Sequence, residues 1–118
     1  MLNDDFYEKF ASEWIEAWNS HDIERILSHY EDNFEFSPPV LAKLNPASGG
    51  RLTGQGAARD YWSKALAILP DLYFEPVTLL EGVGSLVIYY KGVGGKLCAE
   101  FFVFEASGKV SSSHAHGT

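Results

Sequence analysis

The sequence predicts an α+β domain in which a cone-shaped, curved antiparallel (mixed) sheet wraps around helices and encloses one pocket. Three observations carry that prediction. Helical patterns dominate up to Leu69 and strand patterns dominate after it, which places helices on one face of an antiparallel sheet. The first helix carries a broad aromatic stripe that has to be buried. The second half alternates strand-like runs with the glycine-rich turns GVG, GVGG and ASG, the grammar of hairpins. The order α, α, β, α, β, β, β, β within 118 residues makes a single domain, residues 1–118, with one core.

The first helix starts near Asn3 or Asp4, whose short polar side chains cap backbone N–H groups and favour the positive end of the dipole, and it runs to Asn19. Phe6, Phe10, Trp14 and Trp18 recur every four residues, with Tyr7, Ala11 and Ile15 beside them. A short second helix follows with Asp22 as its cap and Ile23, Ile26, Leu27 and Tyr30 turned inward. NFEFS is a strand ended by Pro38 and Pro39, and PPVLAKLNPASGGRLTG is a loop. The third helix spans Gln55 to Leu69, buries Ala58, Tyr61, Trp62, Ala65, Leu66 and Leu69, and stops before Pro70. The strands YFEPVTLLE, SLVIYYKG, KLCAEFFVFE and KVSSSHAHG complete the sheet. A curved sheet with the first helix across its concave face leaves a conical cavity, into which Trp14, Trp18 and Glu100 can look.

Composition narrows the function classes. The chain is 46% hydrophobic and 21% charged, with no run long enough for a transmembrane helix and no apolar signal region in MLNDDFYEKF, so a cytoplasmic protein with no membrane partner is expected. A formal charge of −7 opposes nucleic-acid binding, which needs a cationic face that releases counterions. The single cysteine, Cys98, builds neither a disulfide framework nor a metal cluster. GVGG joins two strands rather than opening a helix, so it is no phosphate cradle, and no nucleophile elbow is present.

Glu100 stands out chemically. It interrupts LCAEFFVF, a strand apolar at both parities, where an ionised carboxylate loses hydration unless something replaces it. Desolvation favours the neutral acid, which can donate a proton near neutral pH, while the plainer alternative is a carboxylate held by an indole, tyrosine or histidine. The last hairpin reads two ways. A three-residue loop at Ala106, Ser107 and Gly108 sets Glu100 opposite His114 and Cys98 opposite His116. A two-residue loop at Ser107 and Gly108 sets Glu100 opposite Ala115, with Ser113 on the same face and both histidines turned away. His114 and His116 share a strand face, but His21 and His29 sit around the second helix, so no zinc ligand set is expected.

The segments WIEAWNSHDIERILSHYEDNFEF, GRLTGQGAARDYWSKAL and EFFVFEASGKV resemble the SnoaL-like branch of the nuclear-transport-factor-2-like superfamily over nearly the whole chain. The resemblance implies a cone-shaped α+β barrel, a homodimer formed through the sheet, and a range of uses from steroid isomerases, polyketide cyclases and epoxide hydrolases to non-catalytic binding modules. Against the ketosteroid isomerases it also implies a residue-by-residue comparison. Trp14 stands where they carry a tyrosine donor, Pro38 where they carry the carboxylate base, and Glu100 where they carry a second acid. The expected function is a pocket for a small hydrophobic molecule, used by a cofactor-free isomerase or cyclase with Glu100 as acid–base, or by a binding module that has lost the base. The expected ligand-binding residues are Trp14, Trp18, Tyr30, Tyr61, Trp62, Phe102, Ser113 and Ala115.

Overall fold

The computed structural model describes residues 4–39 and 46–118. Helix α1 spans Phe6–Asn19, α2 Ile23–Leu27 and α3 Gln55–Ile68, while the strands are β1 Tyr30–Ser37, β2 Leu52–Thr53, β3 Glu75–Glu81, β4 Ser85–Lys91, β5 Leu97–Phe104 and β6 Val110–Gly117. They form one curved, unclosed sheet in the order β2-β1-β6-β5-β4-β3, antiparallel except where β1 runs parallel to β6. Among the described residues no helix is long and apolar enough to cross a membrane.

Besides strand ends trimmed by one or two residues, element boundaries depart from the sequence reading in four places. Helix α1 begins at Phe6 after Asp5, whose side chain caps nothing; of the two expected starts, Asp4 lies in the preceding turn and Asn3 lies outside the described residues. Tyr30 opens β1 instead of closing the second helix, because Val110 pairs with it across the parallel ladder. Part of the expected loop 38–54 lies outside the described residues, and its end contributes the two-residue strand β2, paired with Glu35 and Phe36. The third helix stops at Ile68, one residue early.

Helix α1 lies on the concave face because its aromatic stripe finds apolar partners only there. Phe10 packs edge-on against Phe102 and Phe104, and Trp14 against Phe102 and Tyr90. Such contacts between large rings supply most of a small domain's burial energy. Asn19 then fastens the end of the helix to the chain entering β3. Its Nδ2 donates to the Phe74 carbonyl at 2.9 Å, and its Oδ1 accepts from the Phe74 N–H at 2.6 Å. His21, held at φ 57, puts its Nε2 2.9 Å from the Leu72 carbonyl oxygen. Asp22 caps α2 by accepting from the Arg25 N–H. Gln55 joins α3 to β1 by donating from Nε2 to the carbonyls of Leu27 and Tyr30.

Both hairpin readings hold, each over part of the strand pair. Near the turn the three-residue loop is correct: the Glu105 N–H donates to Lys109, Gly108 takes φ 84, and Phe104 faces Val110. A bulge at Ser111 then shifts the register, so Val103 faces Ser112 and Glu100 faces Ala115. The extra residue turns His114 and His116 to the outer face. No Glu100–histidine pair forms. On the inner face the row Leu79, Ile88, Glu100, Ala115 crosses four strands, and its outer neighbour is Leu80, Val87, Phe101, His114.

Replacing Asn19 with Leu leaves both backbone groups of Phe74 without their partner. We expect chemical denaturation to show a loss of about 2 kcal/mol, with the helical circular dichroism retained.

Candidate functional site

The concave face and α1 enclose a cavity of about 640 Å³. Its walls come from every layer of the fold: Trp14 and Trp18 from α1, Tyr30 and Phe36 from β1, Tyr61 and Trp62 from α3, Tyr90 from β4, Glu100 from β5 and Ala115 from β6. Leu72 and Phe74 close one side, and exposed Pro39, Val93, Lys96 and Thr118 make the rim. Trp14, Phe74 and Tyr90 pack ring on ring, with Phe74 and Tyr90 centroids 4.7 Å apart. The wall is thus a rigid aromatic lining with a few polar atoms set into it, the usual composition of a small-molecule site.

Those polar atoms gather around Glu100. Burial pushes its carboxyl up to about 8, and a hydrogen bond from the Tyr90 hydroxyl offsets part of that rise. The group is therefore largely the neutral acid at pH 7. Burial, followed by the proximity of Glu100, raises the Tyr30 and Tyr90 hydroxyls as well, so both stay protonated. The Trp14 indole Nε1–H donates to Tyr30 Oη at 2.9 Å. The chemistry available at this end of the cavity is proton and hydrogen-bond donation to an oxygen brought in by a ligand.

Seven of the nine residues singled out from sequence come together here: Trp14, Trp18, Tyr30, Tyr61, Trp62, Glu100 and Ala115 line the cavity. Phe102 and Ser113 do not line it, which corrects the sequence reading. They share an inner-face row with Leu86 and Phe36, but Phe10 and Trp14 cover Phe102 at 5.0 and 5.3 Å between ring centroids, and Ser113 is buried behind Tyr30. The sequence reading missed Tyr90, Phe74 and Phe36. For Tyr90 the signal was available, because it shares strand parity with Ile88 and so faces inward. For Phe74 it was not, since it precedes β3 and reaches the cavity only through the Asn19 clasp. His114 packs on Phe101 outside the sheet with Nδ1 2.6 Å from Ser37 Oγ, and His29 packs against Phe10 with Nε2 3.4 Å from Glu13 Oε2. Among the described residues no three His, Cys, Asp or Glu side chains converge on a metal position.

The raised folded-state value of Glu100 sets the direction of a pH effect. The unfolded chain releases this proton near 4.5 and the folded chain near 8, so the native state binds more protons between them. The resulting stability is fully present below about pH 4.5 and is lost as pH rises through about 8. Denaturation midpoints should therefore fall across that window by an amount that Glu100→Gln removes, and an unchanged slope in the variant places the effect elsewhere.

Comparison with known proteins agrees with this architecture. The family model described as "SnoaL-like domain" matches residues 11–113. The chain is similar to a SnoaL-like protein of unknown function from Burkholderia thailandensis, at 41% identity and a TM-score of 0.94 over 100% of this chain and 99% of that one. A nuclear-transport-factor-2-like protein of unknown function from Cytophaga hutchinsonii shares 17% identity, with a TM-score of 0.69 over 100% of this chain and 95% of the other. SalBIII, an epoxide hydrolase/cyclase-like enzyme with a role in pyran ring formation in the polyether salinomycin, shares 16% identity, with a TM-score of 0.78 over 100% and 95%. These last two likenesses show the fold alone. No curated protein matches the chain. With the family model spanning most of its length, the chain belongs to the SnoaL-like family.

Proposed function

We propose that the cavity binds a small, largely apolar molecule bearing a carbonyl, ether or epoxide oxygen, and that Glu100 serves as general acid on it in a cofactor-free isomerase- or cyclase-type reaction. The observation that carries this reading is the buried carboxyl of Glu100 at the aromatic end of the cavity, where loss of hydration favours its protonated form. Its O–H gives a proton to the ligand oxygen as charge develops there, and the resulting carboxylate takes back the proton released by the substrate's own hydroxyl or carbon. An enzyme of similar fold described as epoxide hydrolase/cyclase-like carries chemistry of this class, and the fold by itself does not select it. Pro38, standing where related steroid isomerases carry their base, disfavours carbon deprotonation by a separate carboxylate.

One observation favours a second reading. Among the described residues Glu100 is the sole carboxylate lining the cavity, which suits a binding module as well as a single-carboxyl catalyst. The test begins with native mass spectrometry of the purified protein to identify a bound molecule. Glu100→Gln keeps the side-chain shape but has no acid proton to transfer. For the catalyst, the variant binds the molecule and converts it 100-fold or more slowly. Wild-type protein that binds without converting establishes the second reading.

The outer sheet face suits a second copy of this chain. Phe101 and Leu80 stay 37% and 61% exposed there, Phe101 stacks on His114, and the row from Leu80 to His114 carries no carboxylate in a chain of net charge −7. Two such rows meet without like-charge contact, which makes a homodimer the proposed assembly. A free cysteine and an acidic balance fit the reducing cytoplasm. Light scattering at micromolar concentration should give twice the monomer mass, and Phe101→Asp should return it to the monomer.

A further inference from the structure

We infer that the cavity selects an apolar carboxylic acid, with its hydrocarbon body among the rings and its carboxylate at the mouth on the Lys96 ammonium. The inference rests on the proposed use of the cavity and adds the class of molecule it takes. Among the described residues lining the cavity, Glu100 and Lys96 are the only ones whose side chains carry an acid or an amine. They stand at opposite ends of one inward row. Lys96 has extended dihedrals, φ −70 and ψ 142, and leads directly into β5, so Lys96, Cys98 and Glu100 share a strand parity, and all three line the cavity. Four residues of extended chain put about 13 Å between the two ends of that row. Glu100 is buried and Lys96 is exposed, so the row runs from the deep end of the cavity to its mouth.

The lysine is free to meet a ligand. Lys9, Arg25, Arg51, Arg59 and Lys64 each pair with a carboxylate, whereas no carboxylate of the described residues lies within ion-pair distance of Lys96. Lys91 and Lys109 also lack such a partner, but they do not line the cavity. In a chain with 16 acidic and 9 basic residues, an acid is the more frequent surface charge, yet the described rim holds a cation and no acidic side chain. The turn between β4 and β5 keeps that cation in place. The Gly92 N–H donates to the Lys96 carbonyl at 2.7 Å, and Gly94 and Gly95 close the turn at φ 70 and 74. Val93, 41% exposed, adds an apolar lip beside it. One ammonium balances one negative charge, and a dianion would bring an uncompensated charge to a protein of net charge −7. The ring-lined interior offers a second charge no compensation, so the rest of the molecule is apolar.

The test uses 8-oxo-8-phenyloctanoate, whose extended chain lets the ketone approach Glu100 while the carboxylate reaches the Lys96 side chain, and its neutral primary amide as the control. Binding is measured by titration calorimetry at neutral pH. Wild-type protein is expected to bind the acid about fivefold more tightly than the amide at about 20 mM salt, and about twofold more tightly at about 300 mM, because the contact lies partly in solvent. Lys96→Arg should keep the preference, Lys96→Gln should abolish it and Lys96→Glu should reverse it, with amide affinity within about twofold of wild type throughout. A preference for the acid that survives Lys96→Glu, or equal binding of acid and amide by wild-type protein, overturns this inference and leaves the proposed function standing. Equal loss of both probes in Lys96→Gln assigns Lys96 a structural role and overturns the inference in the same way. Binding of neither probe by wild-type protein at millimolar concentration overturns both.

Discussion

The structure depends on one constraint: the aromatic stripe of α1 must leave water, and the concave face of a curved sheet is the surface broad enough to take it. Phe6, Phe10, Trp14 and Trp18 each meet rings from other elements, from Phe104 at one end to Trp62 at the other. Curvature follows from the same demand, since a flat sheet cannot surround a helix. The β6 bulge supplies part of that curvature and sets which side chains of the last strand face inward. What α1 does not fill, toward its C-terminal end, is the cavity.

A cavity lined by rings has a low dielectric response, and that decides the chemistry of its few polar groups. In water Glu100 would be an anion. Here the loss of hydration outweighs the Tyr90 hydrogen bond, and the acid keeps its proton. Tyr30 and Tyr90 respond in the same direction, so the whole polar end of the cavity is biased toward donation. The bias comes from surroundings more than from any one bond, and small changes in the aromatic wall therefore reach the carboxyl.

The charged contacts do a different job. Arg25 grips Glu13 through two bonds of 2.6 Å and reaches Glu16 at 3.5 Å, which locks the turn between α1 and α2, while Arg59 pairs with Glu24 to join α3 to α2. These groups sit partly or largely in solvent, where screening leaves such pairs modest in energy. They set the angle at which helices approach one another. Phe74 and Trp62 owe their places in the wall to that arrangement and to the Asn19 clasp.

Sequence by itself determined the fold class, the single core, the inward stripe of α1 and the anomaly of Glu100, because helical and strand periodicities are local and a carboxylate in an apolar strand is visible wherever it lies. It also held the residues of both hairpin registers, and here its reach ended. Local turn chemistry at Ala106, Ser107 and Gly108 allowed a two-residue or a three-residue loop, and the bulge at Ser111 that joins the two registers and carries Glu100 to Ala115 depends on β6 being paired on both sides, with β5 and with β1. The burial of Ser113 and Phe102 behind the cavity wall was equally beyond it, since strand parity tells which face a residue is on and not how deep the opposing helix sits. Only the tertiary structure decided that Tyr30, Tyr90 and Glu100, far apart in the chain, share one buried corner, because the shift of an acid depends on everything packed around it.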